Sequence, residues 1–297
     1  ILRSKMMKIG IQGIAGSYSE MTARDYINTL LTKQLHTNCD LENDFEVVMY
    51  SNFCETTQAL VDEDVDLIVE PVENSTTGAI TKLLDQLRYK PVMGIAEAYQ
   101  PVSHNLWGVA GSTIEELTTV YSHPEALSQC TSFFEQHPYI EAKAHDDTAR
   151  ASLHVQELKN PKVAAISSAR AGELYGLTPL LKDFQDEKSN MTRFYILEKY
   201  QASKRYEGNV LAFYIETRHE PGALLKLLQV FDIYNGNLLS LTARPIQNQP
   251  FTYGFFLEVT ADKMTVSNEI LIQTLEQVAE HVQLLAQFDQ VKRPNRT

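Results

Sequence analysis

The chain has 297 residues, 43% hydrophobic and 22% charged, with a formal net charge of −12 and a pI near 5.2. That length accommodates two domains or three lobes, and the balance is that of an ordinary globular chain. The acidic excess argues against nucleic acid or an anionic membrane as partner, because phosphate binding needs clustered Lys and Arg; a small anion would need a site built locally.

Cys39, Cys54 and Cys130 form no CxxC pair and no zinc-like cluster, so no metal is expected. So sparse and odd a count fits buried or half-buried thiols in a reducing cytosol. No apolar run approaches the ~20 residues that span a bilayer. Ile1 to Met6 carries two cations and no apolar segment, so it does not read as a signal peptide. Met7-Lys8 reads as a natural start, with an extension or remnant before it.

In chain order, Lys8 to Gly13 reads as a first strand, followed by a turn and a helix to about Leu35. Ser17 and Glu20 have the spacing of a capping box, and a strand, turn and helix N-terminus form an anion seat. Gly10, Gly13 and Gly16 are spaced three apart, without the G-x-G of a dinucleotide fingerprint, so no nicotinamide cofactor is expected. Phe45 to Tyr50 is a strand, Asn52 to Asp62 a helix with Cys54, Ala59 and Leu60 on its apolar side, and Val65 to Val69 a strand. The loop Glu70 to Gly78 follows, dense in carboxylate, amide and hydroxyl groups, and Ser75, Thr76 or Thr77 is placed to cap a helix from Ala79 to Leu87.

Apolar stretches flank Pro101 to Asn105, where His104 reads as a base or as a polar residue of a strand pair. Val120 to Pro124 is a strand reaching His123, which reads as a cap for a helix over 125–137. Ile140 to Ala144 is a strand leading through Thr148 into a helix, Val163 to Ile166 a buried strand, and Ser168 to Tyr175 a helix closed by Gly176. The polar run Ser189 to Arg193 enters a strand at Phe194 to Leu197. Alternating strands and helices predict an α/β fold. Polar loops recur after strands at Ser17, Asn74-Ser75, Ser122-His123, Thr148 and Thr192, where open α/β sheets carry their ligand crevice. Five such loops with few cations predict a pocket for a small anion. Residues 199–209 read as a linker. Strands over 210–216, 238–244, 252–259 and 282–288, with helices from Pro221 and over 267–279, then give a ferredoxin-like βαββαβ unit over 210–290.

These residues carry a family resemblance. Lys8 to Gly13 with Gly16 to Glu20, Val69 to Ser75 with Gly78, Val120 to Leu127, Asp147-Thr148-Ala149, Ala165-Ile166 with Glu173 to Leu177, and Asn190 to Phe194 together resemble prephenate dehydratase, an enzyme of phenylalanine synthesis. Residues 210–290 resemble an ACT regulatory domain: Gly222-Ala223-Leu224-Leu225 matches its Gly-Ala-Leu-Leu motif. Its second motif, Glu-Ser-Arg-Pro, stands here as Thr242-Ala243-Arg244-Pro245, without the carboxylate that could pair an ammonium group.

The resemblance implies prephenate as substrate, no cofactor, and feedback by phenylalanine held by Gly222 to Leu225 with Arg244 and Pro245. It implies Thr192 as the group that helps the ring hydroxyl leave. Arg193 is either the cation at the substrate or an ion pair that braces the lobes. Ser17, Asn74, Ser75 and Thr148 are expected to hold carboxylates, Glu73 either orients Asn74 or a water or is structural, and Phe194 packs under the pocket. The implied architecture is two lobes like a type II periplasmic binding protein, residues 7–78 with 165–198 in one and 79–164 in the other. Dimers or tetramers through paired ACT domains are expected. An arogenate dehydratase and a non-catalytic amino-acid sensor are the alternative readings.

Overall fold

A computed structural model of the chain describes residues 6–35 and 45–292. Cys39 and the segment before Met6 lie outside the described residues. The first unit runs β1 (Met7–Gln12), α1 (Tyr18–Leu35), β2 (Phe45–Tyr50), α2 (Phe53–Val61), β3 (Leu67–Asn74), the two-residue β4 (Gly78–Ala79), α3 (Thr81–Leu87) and β5 (Val92–Pro101). A second stretch holds β6 (Asn105–Gly108), β7 (Thr119–Ser122), α4 (Pro124–Ser128), α5 (Thr131–Gln136), β8 (Glu141–Ala144), α6 (Thr148–Leu158), β9 (Val163–Ser167), α7 (Ala169–Leu174) and β10 (Thr178–Leu181). The chain then returns as β11 (Met191–Lys199). The C-terminal unit is β12 (Val210–Glu216), α8 (Ala223–Ile233), β13 (Asn237–Pro245), β14 (Tyr253–Thr260), α9 (Asn268–Val278) and β15 (His281–Phe288).

Two sheets organise these elements. The small one has the order β10-β6-β9-β7-β8, and the large one the order β13-β14-β12-β15-β5-β11-β3-β1-β2, with β4 on β3. The fold is therefore α/β and two-lobed, with a βαββαβ unit continuing the large sheet. The expected lobe boundaries need correction. β5 pairs with β11 from Met191↔Pro101 to Lys199↔Val92, which puts residues 92–101 in the large-sheet lobe. β9 pairs with β6 and β7, which puts 163–167 in the small-sheet lobe. The lobes thus meet at two crossings, 102–104 outward and 182–190 back. Strand periodicity reports a buried face but not which neighbour a strand takes, so the crossings could not be read from it.

Capping chemistry fixes several helix starts. Asn52, Ser168 and Ser267 each accept a hydrogen bond from a first-turn N–H of α2, α7 and α9. Residues 125–137 form two short helices, α4 and α5, and His123 caps the first by accepting from Glu125 N. Cys54 is exposed on α2, contrary to expectation, and Thr56, Thr57, Ala59 and Leu60 are its buried residues.

Alternation along the strands splits the core. Ile9, Ile11, Val69, Phe194 and Ile196 face α1, whereas Ile68, Tyr195 and Leu197 join Tyr214, Leu285 and Phe288 of the C-terminal unit. Leu211, Phe213 and Ile215 point the other way, against α8 and α9. β12 is thus apolar on both sides, as a strand covered on two faces must be. At the seam β15 pairs with β5 through Ala286↔Gly94. A Cβ on Gly94 would stand 2.5 Å from the Ala286 Cβ, so only glycine lets these strands approach.

Candidate active site

β11 lies between β3 and β5, with Thr192 opposite Asn74 on one side and Gln100 on the other. Successive side chains of a strand point to opposite faces, so Thr192 shares the α1 face with Phe194, and Arg193 points to the C-terminal unit with Tyr195. The two adjacent residues singled out as catalytic therefore do not work in one place.

The Thr192 side is an amide and hydroxyl cluster. Asn74 Nδ2 donates to Thr192 Oγ1 at 3.1 Å, to Asn190 Oδ1 at 2.8 Å and to the Met191 carbonyl at 3.3 Å. Its Oδ1 accepts from the backbone N–H groups of Thr76 and Thr77 at 2.9 and 3.2 Å. Those two donors fix the amide orientation: turned over, Asn74 would present a donor to two donors. Thr192 Oγ1 consequently has a lone pair occupied, and among the described residues no acceptor takes its proton. Ser75 Oγ accepts from Met191 N at 3.0 Å and donates to Asn190 Oδ1 at 3.5 Å.

Asn190 and Gln129, which had no expected role, and His104, read as a base or as a polar residue of a strand pair, complete the cluster. Asn190 is buried and donates through Nδ2 to Gln129 Oε1 at 2.8 Å. The same oxygen meets His104 Nε2 at 2.8 Å. His104 sits on the outward crossing, Asn190 on the return, and Gln129 at the C-terminal end of α4 in the small-sheet lobe. Asn190 was visible as part of the run before Thr192, but Gln129 reads in sequence as an ordinary helix-end glutamine.

Ser17 caps α1, its Oγ accepting from Glu20 N at 3.3 Å. Glu20 departs from the expected box: its carboxylate accepts from Gly16 N at 2.7 Å and spans to Arg170 of α7 at 3.0 Å, with Arg24 at 2.6 Å. Burial alone would raise the Glu20 pKa, but Arg170, the Gly16 N–H and Arg24 bring it down to about 2. Ser168 Oγ to the Gly16 carbonyl and Tyr175 to the Ala15 carbonyl, both 2.8 Å, add to this bridge between lobes. Gly16 permits it, with φ +87° and a would-be Cβ at 2.8 Å from Ala171 Cα.

The expected anion seats are partly filled from within. Thr148 opens α6, but Asp147 accepts from the N–H groups of Ala149 and Arg150 at 2.8 and 3.0 Å. No helix N-terminus follows Asn74-Ser75 directly, because β4 intervenes and α3 starts at Thr81 without a side-chain cap. Thr148 and Ser75 can offer hydroxyls rather than helix dipoles.

Arg193, Glu73 and Phe194 lie away from the Thr192 cluster, in ion pairs or in the core. Arg193 is 5% exposed and pairs with Glu97 and Glu258 at 2.7 Å each and with Glu73 at 3.7 Å. Tyr195 donates its hydroxyl to Glu258. Glu258 belongs to β14, so the guanidinium clamps the C-terminal unit to β11 and β5. Glu73 stands on this same face, since Glu73 opposes Arg193 as Asn74 opposes Thr192. Phe194 is 1% exposed and sits in the α1-side core. Behind the clamp lies a cavity of about 300 Å³, lined by Leu84, Leu87, Phe256 and Thr242 among others.

Gly222 to Leu225 and Arg244-Pro245, the two motifs of the resemblance, lie at one end of the C-terminal sheet, since Gly254 pairs with both Arg244 and Glu216. Gly222 to Leu225 lines an open cavity of about 540 Å³ with Phe251 and Tyr253. Arg244 turns instead to Asp85 of α3, at 3.2 Å through Nε, and Arg88 donates to the Pro245 carbonyl at 2.9 Å. Within one chain the second motif is therefore part of the seam with the large-sheet lobe.

Among the described residues no His, Cys, Asp and Glu cluster could hold a metal, and no helix is long and apolar enough to cross a membrane.

The chain is 30% identical to arogenate dehydratase/prephenate dehydratase 1, chloroplastic, of Arabidopsis thaliana, over 94% of this chain and 71% of that protein. It is 26% identical to the prephenate dehydratase from Staphylococcus aureus subsp. aureus Mu50, with a TM-score of 0.71 over 95% of this chain and 100% of that one. The prephenate dehydratase from Arthrobacter aurescens, solved in complex with L-Phe, shares the fold at a TM-score of 0.80 and 20% identity, over 96% and 90% of the two chains. The family model for prephenate dehydratase matches residues 9–202. That stretch runs from within β1 to just past β11 and contains Asn74, Gln129, Asn190 and Thr192, and by it the chain belongs to the prephenate dehydratase family.

Proposed function

We propose that this chain converts prephenate to phenylpyruvate, water and carbon dioxide. The electron pair of the bond to the ring carboxylate moves into the ring and expels the ring hydroxyl from the opposite carbon, and aromatisation drives the step. One proton is consumed, at the departing oxygen, and none is removed from carbon. The observation that carries the reading is the Thr192 hydroxyl, whose lone pair is held by Asn74 while its proton stays uncommitted. A hydroxyl so oriented donates to the departing oxygen and relays the consumed proton to it. Ser17, Ser75 and Thr148, with Asn74, are proposed to hold the two carboxylates through neutral donors, and closure of the lobes to keep the site dry.

The C-terminal unit is proposed to be an ACT domain that binds phenylalanine at Gly222 to Leu225. Leu225 and Phe251, 60% and 85% exposed, are apolar groups that self-association through this unit would cover. The relative named for both arogenate and prephenate supports arogenate as a second substrate. The test is steady-state turnover of prephenate and arogenate, with and without phenylalanine, for wild type and Thr192→Ala. The variant should lose about 10²-fold or more in kcat with its fold intact. Turnover near wild type would remove Thr192 from the mechanism, and a wild type that forms no phenylpyruvate would favour a ligand-binding sensor.

A further inference from the structure

His104, Gln129 and Asn190 touch both crossings and both lobes, and their hydrogen bonds have a fixed polarity. The Thr76 and Thr77 N–H groups set Asn74 with Nδ2 toward Asn190. Asn190 must then present Oδ1 to Asn74, which leaves its Nδ2 for Gln129 Oε1. Because that oxygen already accepts from Asn190, the second contact, with His104 Nε2, works only if His104 carries its proton there. Turning over any one amide sets donor against donor or acceptor against acceptor along the whole chain.

The surroundings hold His104 in this state. His104 is 2% exposed, and its Nδ1 is buried without a hydrogen-bond partner. Burial disfavours the imidazolium more than the Gln129 contact favours it. The His104 backbone is fixed by Gln185 Oε1, which accepts from its N–H at 2.9 Å, and by Phe184 N, which donates to its carbonyl at 3.1 Å. The return crossing thereby holds the outward one at the point where the ring leaves the chain.

We propose that His104 and Asn190 are positioning residues for the proposed dehydration: as the Nε2–H tautomer, His104 fixes Gln129, and Gln129 and Asn190 latch the lobes so that Asn74 keeps the Thr192 proton directed into the cleft. The latch ties lobe closure to hydroxyl orientation, because Gln129 comes from the small-sheet lobe and Asn74 and Thr192 from the large one. Neither His104 nor Asn190 needs to touch substrate for this. The inference rests on the dehydratase reading for its kinetic part only.

The experiment compares His104→Gln, which can return an amide N–H near the Nε2 position, with His104→Leu, which cannot. His104→Leu should lower kcat for prephenate about tenfold or more while KM moves less than about threefold, and His104→Gln should stay within about threefold of wild type in both. Equal loss in the two variants would mean that the ring only packs, and a raised KM at unchanged kcat would mean substrate binding; either overturns the latch. Should His104→Leu fail to fold, Asn190→Asp carries the same prediction, since its second carboxylate oxygen faces Gln129 Oε1. A readout independent of turnover is 15N NMR of the eight histidines, with the His104 signal assigned by its loss in His104→Gln. An Nε2–H tautomer supports the latch even if the wild type proves inactive on prephenate, which would refute only the dehydratase reading. An Nδ1–H tautomer overturns the latch whatever the activity.

Discussion

Replacing Arg193 by leucine separates a brace from a substrate contact. The guanidinium neutralises Glu97, whose side chain is fully buried, and Glu258, whose side chain is 11% exposed. Burial acts to discharge the guanidinium, but Tyr195, Glu258 and Glu97 outweigh it and keep it charged. Removing one partner of a buried ion pair costs about 3–5 kcal/mol, because the remaining charge is stranded. Here two carboxylates are stranded, but each retains a donor: Val291 N at 2.8 Å to Glu97, and the Tyr195 hydroxyl to Glu258. The middle of that range, about 4 kcal/mol, corresponds to a fall in Tm of roughly 10 °C for a chain of this size. Calorimetry at neutral pH reads it, with kcat and KM for prephenate measured well below the transition. Arg193→Lys should fall between leucine and wild type, since an ammonium cannot reproduce the two-sided contact of the guanidinium. An unchanged Tm together with collapsed turnover would refute the brace and return Arg193 to the substrate.

Glu20→Gln should destabilise the chain at neutral pH. Its folded pKa lies below the ordinary glutamate value of 4.5, so its contribution is present in full above pH 4.5 and is lost as pH falls toward 2. With both arginines 40% exposed, about half of the full linkage value, or about 2 kcal/mol, is expected, and the variant and wild-type stability curves should converge at acid pH. Glu70→Gln should act in the opposite sense. The Glu70 carboxyl is wholly buried, neither oxygen has a well-formed hydrogen bond, and burial raises its pKa well above the usual range against smaller pulls from Thr56 and the Gln12 backbone. Its raised pKa costs stability as pH rises above the ordinary Glu range, so the amide should raise Tm at pH 8 and leave it unchanged at pH 4. Gly94→Val should cost about 1–3 kcal/mol by overpacking and expose the seam to protease, because its Cβ would meet the Ala286 Cβ; normal protease resistance would argue against close docking there.

Much of this fold could be read from local pattern. The βαββαβ unit follows from turn signals and alternation, and its elements stand within a residue or two of their expected bounds. The short β10 escaped, because Thr178-Pro179-Leu180-Leu181 is an edge strand that carries a proline and no alternation. The lobe crossings escaped because they depend on pairings between strands far apart in sequence, such as Lys199↔Val92 and Asn105↔Ser167.

The site shows where local reading stops. Thr192, Asn74 and Ser75 come together as the polar loops after strands led one to expect, because open α/β sheets carry their crevice at the strand ends. The two readings of Arg193 stayed open for want of one fact, that its strand has an occupied sheet on the far side as well. Had β11 been an edge facing solvent, the same Thr-Arg pair would have put the cation at the rim of the cleft. Instead the C-terminal unit covers that face, and strand alternation alone sends Thr192 to the Asn74 cluster and Arg193 to Glu258. This juxtaposition joins the C-terminal unit to the Thr192 cluster: β14 holds Arg193 through Glu258, and Arg193 is joined by a single peptide bond to Thr192.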